Sequence, residues 1–331
     1  MKKRYWIAGL SALAALPVAA KLLLRPRDVE WEKHREIIFH ADRSRFIEVD
    51  GVRVHYQEAG DIAATPMVLI HGFASSNLVW SKVLLELADQ GFRVIAPDLL
   101  GYDYSGKPWH LDYTIASQAA MVVSFMKQLG IERTVLIGSS YGGAVAATIA
   151  LDHPTLVEKL VMVGAVTNNK PTRYMLMRLF GSPVIGDILS PLLASSLTLL
   201  RRRMKRVYDR HSWVLDERRV QARHLPLRTR GTHRAIIRTV RHWDADRVSR
   251  DAHLISQPSL ILWGENDREV PLRDGERIHQ EIPNSRLIVF RECGHLPHEE
   301  YPTEFVEAVS SFYSDLLAPA SEGALAGIVT N

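Results

Sequence analysis

Short apolar runs alternate with amphipathic stretches along the chain from about residue 45 to residue 317. The apolar runs have the length of strands buried on both faces of a sheet, and the stretches between them have helical periodicity. This alternation is typical of βα units and predicts an α/β fold with a mostly parallel sheet flanked by helices. Eight strands are expected, at 46–49, 52–58, 67–70, 93–96, 134–137, 160–163, 259–262 and 287–290.

The amphipathic stretches predict five helices packed on this sheet, at 78–89, 115–129, 141–152, 272–282 and 303–317. Between residues 168 and 246 the alternation stops, and the sequence is Arg-rich, helical in character and interrupted by prolines. We interpret this segment as a helical cap inserted over one end of the sheet. The predicted domain therefore spans 41–317, and the small-residue-rich stretch 318–331 is expected to be a disordered tail.

The first 30 residues form a separate unit. From Tyr5 to Leu24 the only charged residue is Lys21, and twenty such residues can span a bilayer. The same stretch also has the pattern of a signal peptide, with a basic start, an apolar run and small residues before a cleavage site. Because apolar residues resume after that site, we favour an uncleaved membrane anchor. The alternative is a secreted or periplasmic protein released by cleavage.

Composition and charge exclude several classes of protein. With 47% hydrophobic and 24% charged residues the chain is globular, and its single cysteine, Cys293, cannot form an internal disulfide. No Cys/His set has zinc-site spacing, so no metal is expected. Residues 201–250 carry sixteen Lys/Arg against five acids, although the whole chain has a net charge of only +4. Such a segment can favour nucleic acid, anionic lipid or acidic substrates, but it is more often a solvated helical surface, and no nucleic-acid partner is expected.

A Gly-x-Ser-x-Gly sequence with Ser140 at its centre joins the strand predicted at 134–137 to the next helix. A serine hydroxyl is a poor nucleophile until it is exposed, deprotonated by a base and faced by donors for the developing oxyanion. Gly138 and Gly142 lack the Cβ atoms that would clash in a sharp strand-to-helix turn. The helix N-terminus also directs backbone N–H groups at developing negative charge. The sequence therefore predicts Ser140 as a nucleophile.

Three other predicted strands end in residues that fit the same chemistry. Asp267 and His295 each follow a separate strand, in the chain order Ser, Asp, His. The strand at 67–70 ends in His-Gly, where Gly72 permits a close backbone approach. The Phe73 N–H can then join the Tyr141 N–H in an oxyanion hole.

Five motifs in this order make the sequence similar to the α/β-hydrolase superfamily over about residues 46–317. The motifs are His71-Gly72-Phe73, Pro97-Asp98-Leu99-Leu100-Gly101, Gly138-Ser139-Ser140-Tyr141-Gly142, Gly264-Glu265-Asn266-Asp267 and Gly294-His295. The resemblance implies an α/β-hydrolase fold with a catalytic triad and a cap. Its residues would be Ser140 as nucleophile, His295 as base, Asp267 as orienting carboxylate, Phe73 and Tyr141 as oxyanion donors, and Gly138 and Gly142 as the nucleophile elbow.

Some residues near the motifs are not assigned a catalytic role, and one position departs from the family pattern. Glu265 and His298 lie near the motifs but out of register with them, and Cys293 is expected to be a small packed residue. Asp103 departs from the commoner family form, which has Gly or a small residue there. Because the elbow carries Ser140 instead of the Asp of dehalogenases and epoxide hydrolases, the resemblance implies acyl transfer to serine and hydrolysis of the acyl-enzyme.

The anchor, the His-Gly-Phe motif and the cap resemble membrane-anchored monoacylglycerol lipases. This resemblance implies a serine esterase or lipase acting on a small apolar ester, with membrane lipid as a partner. A carbon–carbon bond hydrolase, a peptidase or a cofactor-free haloperoxidase can use the same triad, and a non-catalytic binding protein can share the fold. No dinucleotide-binding or P-loop fingerprint occurs, so no cofactor is expected.

Overall fold

The computed structural model describes residues 30–169, 181–182, 196–209, 215–229, 231–314 and 328–330. Nine strands form one sheet, and in chain order they are β1 (Ser44–Val49), β2 (Val52–Ala59), β3 (Thr65–Ile70), β4 (Phe92–Pro97), β5 (Thr134–Ser139), β6 (Val157–Val163), β7 (Ser259–Gly264), β8 (Ser285–Phe290) and β9 (Ile328–Thr330). Their spatial order is β1-β2-β4-β3-β5-β6-β7-β8-β9.

The α-helices of the described residues lie between these strands and in the cap. In chain order they are α1 (Trp31–His34), α2 (Leu84–Asp89), α3 (Ile115–Gln128), α4 (Tyr141–Asp152), α5 (Leu197–Val207), α6 (Glu217–Leu227), α7 (Thr232–Arg241), α8 (Asp246–Asp251), α9 (Leu272–Glu281), α10 (Pro297–Glu300) and α11 (Pro302–Ser314).

The centre of the sheet is parallel and its edges are antiparallel. Strands β3 to β8 run in one direction, whereas β1 and β2 form a hairpin at one edge and β9 pairs antiparallel with β8 at the other. The hairpin turns at Asp50 and Gly51, which both have positive φ. A two-residue turn needs positive φ at both positions if its twist is to match that of the strands. The predicted α/β fold with a mostly parallel sheet is confirmed.

Alternate residues of the central strands face two separate hydrophobic cores. Along β3, Met67 and Leu69 join the cluster formed with α2 and α11, whereas Val68 and Ile70 join the cluster formed with α3 and α4. All four side chains are fully buried. Because both faces of β3 are covered, the run 67–70 is apolar at every position, which explains why the central strands appear as unbroken apolar runs.

Two predicted elements differ from the structure. The helix expected at 78–89 is a 3₁₀ turn, Asn77–Trp80, followed by the shorter α2. The Asn77 amide donates to the buried Asp98 carboxylate at 2.8 Å, a contact between residues far apart in the chain. The tail expected to be disordered at 318–331 contains β9. Its backbone pairs with β8 at an otherwise open sheet edge, and this pairing satisfies edge hydrogen-bonding groups.

The described part of the cap consists mainly of α5, α6 and α7. The rest of the predicted insertion, at 170–180, 183–195, 210–214 and 230, lies outside the described residues, and so does the predicted anchor at 5–24. Within the described ranges that begin at residue 30, no helix combines the length and the apolar character needed to cross a bilayer.

Candidate active site

The predicted catalytic residues follow the carboxyl ends of three parallel strands. Ser140 comes directly after β5, Asp267 lies three residues after β7, and His295 lies five residues after β8. The carboxyl ends of parallel strands meet at one edge, which is where α/β folds bind their ligands. Ser140 and His295 line one cavity there, and Asp267 is buried behind His295.

The turn at Ser140 is a strained strand-to-helix corner. Ser140 has φ of 56° and ψ of −119°, a conformation that non-glycine residues rarely adopt, and its side chain is half-buried. A Cβ atom on Gly138 would lie 2.2 Å from the Gly142 carbonyl oxygen, and one on Gly142 would lie 2.3 Å from that of Ile70. The flanking glycines therefore let β5, α4 and the end of β3 approach closely enough to present the serine.

His295 and Asp267 form a buried, hydrogen-bonded pair. Nδ1 of His295 lies 2.7 Å from Oδ2 of Asp267. The other oxygen, Oδ1, accepts from the backbone amides of Glu269 at 2.8 Å and Val270 at 2.9 Å, which fixes the plane of the carboxylate. Burial lowers the pKa of His295, but the charge and hydrogen bond of Asp267 outweigh it and raise that pKa above 6.5.

The two predicted oxyanion donors are the amides of Phe73, which lines the same cavity as Ser140, and of Tyr141, the residue after Ser140. Neither the Phe73 amide nor the Tyr141 amide donates to another group in the described part of the chain. His71 holds the first of these loops, because its Nδ1–H donates to the Gly72 carbonyl at 2.8 Å and its Nε2 accepts from the Leu99 amide at 3.0 Å. Burial lowers the pKa of His71 to about 4, so it is a neutral structural residue.

Glu265 and His298, which are out of register with the motifs, form no hydrogen bond with the pair of His295 and Asp267 among the described residues. Glu265 is exposed, and its carboxylate accepts from the Glu292 amide at 3.1 Å. His298 is fully buried and stacks on Trp80 at 4.3 Å, and burial lowers its pKa to about 3. Cys293 is also fully buried, and burial raises the pKa of its thiol. The expectation that Cys293 is a packed residue is confirmed.

One buried group has the side chains to hold a metal ion. His55, Asp98 and Asp103 place their ligand atoms within 4.8 Å of one another, and Nδ1 of His55 lies 2.6 Å from Oδ2 of Asp98. Burial raises the pKa of Asp98 to about 7, and burial together with the Asp98 charge raises that of Asp103 further. The Ser105 hydroxyl also donates to the Asp98 carbonyl oxygen at 2.7 Å, so we assign the cluster to fixing the loop at 98–105, where Asp103 has φ of 41°.

The cavity in front of Ser140 has a volume of about 410 Å³ and a mainly apolar wall. Its floor is formed by the strand ends, and its roof by the cap helices α5 and α7. The cap residues that line the cavity could not be predicted from the sequence, because the cap has no motif. The wall residues from the cap include Leu199, Arg203, Met204, Ile236, Val240 and Trp243.

Comparison with known proteins agrees with this architecture. Residues 65–302 match the family model described as the alpha/beta hydrolase fold. The chain is 29% identical over 272 residues to the uncharacterized hydrolase YugF of Bacillus subtilis, covering 81% of this chain and 97% of that protein. It is 27% identical over 286 residues to 2-hydroxymuconate semialdehyde hydrolase of Pseudomonas sp. strain CF600, covering 83% and 95%.

A solved structure shows the same relationship in three dimensions. The esterase RhEst1 from Rhodococcus sp. ECU1013 superposes with a TM-score of 0.67 at 26% identity, covering 83% of this chain and 99% of the esterase. The family match spans well over half of the chain and includes the residues that form the cavity floor. The chain therefore belongs to the alpha/beta hydrolase family and is a hydrolase of that fold.

Proposed function

We propose that the protein is a serine hydrolase that cleaves a carboxylic ester of an apolar substrate through an acyl-enzyme. Ser140 is the nucleophile, His295 the general base and Asp267 the carboxylate that orients it. The observation that carries the proposal is the 2.7 Å contact between His295 and Asp267 behind a cavity that Ser140 and His295 both line.

In the first half-reaction, Ser140 Oγ attacks the ester carbonyl carbon while Nε2 of His295 takes its proton. The carbonyl oxygen becomes an oxyanion that accepts from the Phe73 and Tyr141 amides. When the intermediate collapses, the carbon–oxygen bond to the alcohol breaks, and His295 returns the proton to the leaving oxygen. In the second half-reaction, His295 activates water to release the acid and restore the serine.

The apolar wall supports an apolar substrate. A cavity of about 410 Å³ is within the range of small-molecule sites and suits a short or medium acyl chain better than a whole phospholipid. The similarity to an esterase structure is in line with this chemistry.

A carbon–carbon bond hydrolase is the second candidate, because relatives similar over most of the chain carry that kind of name. Besides the semialdehyde hydrolase, a 2-hydroxy-6-oxo-2,4-heptadienoate hydrolase of Pseudomonas putida is 29% identical over 283 residues. The same triad fits both reactions. They differ in the leaving group, since a departing carbon needs an electron sink within the substrate whereas an alcohol needs only a proton.

Two measurements test the proposal. A fluorophosphonate should label Ser140, and the mapped adduct should disappear in Ser140→Ala but persist in Ser139→Ala, since Ser139 is buried at 1% exposure. Hydrolysis of 4-nitrophenyl esters of graded chain length should then be compared with cleavage of a 2-hydroxy-6-oxo-dienoate. Turnover of the dienoate alone would replace the ester hydrolase with the second candidate, and absence of labelling would refute both serine mechanisms.

We further propose that residues 5–24 hold the domain at a membrane, so that an apolar ester passes from lipid to the cavity. The proposal rests on the apolar length of that segment and on the basic cap, whose Arg202 and Lys205 are exposed. The protein should remain in the membrane pellet after a carbonate wash, whereas attachment by charge alone is screened by salt. A soluble enzyme with a mature N-terminus near Lys21 would refute the anchor.

A further inference from the structure

Helix α5 of the cap places one charged residue within the apolar wall of the cavity. The helix begins after Ser196, whose hydroxyl accepts from the Leu199 amide at 3.3 Å. Its residues that line the cavity are Leu199, Leu200, Arg203, Met204 and Val207. Their spacing of three and four residues defines one face of a helix, so the Arg203 side chain belongs to the inner face.

The other basic residues of α5 lie away from this position. Arg201 pairs with Glu217, and Nε of Arg206 lies 3.6 Å from a carboxylate oxygen of Glu269. Arg202 and Lys205 are exposed and do not line the cavity. Of the five basic residues of α5, Arg203 is therefore the one that lines the cavity.

The Arg203 guanidinium has no hydrogen bond or ion pair with any residue of the described ranges. Its side chain is exposed, yet enough protein surrounds it that desolvation lowers the pKa of the guanidinium. A position on the wall of a cavity explains both observations, because the side chain faces open space inside the molecule.

Nearby acids do not neutralise this charge by direct contact. Glu269 also lines the cavity and pairs with Arg206; its charge favours the charged form of Arg203, but no ion pair joins the two side chains. A second arginine of the wall, Arg223, is paired with the buried Glu299. An arginine without an ionic partner in a mainly apolar cavity is costly unless water or a ligand solvates it, and carboxylates match its planar donors.

We propose that Arg203 binds a carboxylate of the substrate, so that the substrate is an acyl compound with an apolar middle and an anionic end. This inference rests on the proposed hydrolase function of the same cavity and narrows its substrate class. Arg203 is then a residue that determines specificity, and it takes no part in bond cleavage.

The kinetic test compares matched anionic and neutral esters. In the first pair the charge lies on the acyl side, and the anionic 4-nitrophenyl monoester of glutaric acid is compared with neutral 4-nitrophenyl pentanoate. In the second pair it lies on the alcohol side, and anionic 4-acetoxybutyrate is compared with neutral butyl acetate. In Arg203→Gln, kcat/KM for the anionic member of at least one pair should fall about tenfold or more, as expected for a lost charged hydrogen bond. The neutral member should change by less than about twofold.

Two further variants make the comparison specific. Arg202→Gln removes the same charge from a residue of α5 that does not line the cavity. It should leave the anionic-to-neutral ratio of kcat/KM unchanged in both substrate pairs. Arg203→Lys keeps the charge but not the paired donors, so it should recover part of the preference. The Arg203 charge lowers the pKa of His295, so Arg203→Gln should also move the acidic limb of kcat/KM to higher pH. An unchanged anionic-to-neutral ratio in both pairs would overturn the proposal.

A binding measurement separates this inference from the proposed function. In Ser140→Ala, which cannot form an acyl-enzyme, calorimetry should give a lower Kd for 4-phenylbutyrate than for 4-phenylbutan-1-ol. Adding Arg203→Gln should weaken the carboxylate about tenfold or more and leave the alcohol unchanged. If no ester is hydrolysed but this difference appears, the proposed function fails and the anion site stands. Equal binding in both backgrounds would refute the anion site.

Discussion

Asp267→Asn tests whether the buried carboxylate controls the tautomer of His295. In the structure, Oδ1 of Asp267 accepts from two backbone amides while Oδ2 faces Nδ1 of His295. In the variant, the asparagine carbonyl oxygen must accept the hydrogen bonds from the two backbone amides, because an NH₂ group cannot accept them. Its NH₂ group must then point at Nδ1 of His295. The imidazole can accept that hydrogen bond only by carrying its proton on Nε2, where it can no longer take the Ser140 proton.

The expected loss is large although the atoms barely move. A wrong tautomer in a serine triad lowers kcat by about 10⁴-fold, which corresponds to about 5.4 kcal/mol of transition-state stabilisation. The free energy of unfolding should change much less, by about 1 kcal/mol, because the backbone hydrogen bonds survive. The assay is kcat/KM for a 4-nitrophenyl ester together with the rate of fluorophosphonate labelling, and both should fall in parallel.

Glu265→Gln is the matched control. It removes the same charge two residues earlier from an exposed side chain, and we expect activity within about twofold of the unaltered protein. A folded Asp267→Asn variant with more than a tenth of the original activity would refute the tautomer argument. Equal losses in the two variants would instead show that general charge near the site matters.

Three further predictions follow from the same geometry. Gly142→Ala should slow fluorophosphonate labelling by about 100-fold or more and lower stability by about 1–3 kcal/mol, since its methyl would lie 2.3 Å from the Ile70 carbonyl oxygen; normal labelling would contradict this. The acidic limb of kcat/KM should lie above pH 6.5, because Asp267 raises the pKa of His295, and should move to lower pH in Asp267→Asn; a limb below 6.5 in the unaltered protein would exclude that assignment. The raised pKa of Asp98 means that its contribution to stability is complete below about pH 4 and is lost as pH rises through about 7. Asp98→Asn should therefore reduce the loss of stability between pH 5 and 8 in urea titrations, and an identical slope would show that Asp98 does not titrate there.

Sequence alone predicted the strands β1 to β8 and the three triad positions. Unbroken apolar runs predict strands buried on both faces, and parallel strands place their carboxyl ends at one edge, so Ser140, Asp267 and His295 are expected to meet. These conclusions depend on residues close together in the chain and on a general rule of parallel sheets. For the same reason the glycines of the elbow were recognisable, since a sharp turn restricts residue type locally.

Other features were decided by contacts between residues far apart in sequence. The 3₁₀ turn at Asn77–Trp80 is held by the bond from the Asn77 amide to Asp98, and β9 forms because β8 offers unpaired backbone groups. The protonation of Asp103 depends on its burial beside Asp98. Among the adjacent basic residues of α5, composition gives Arg203 no distinction from Arg202. Only the docking of α5 makes Arg203 line the cavity while Arg202 does not, because tertiary packing fixes the orientation of an amphipathic helix.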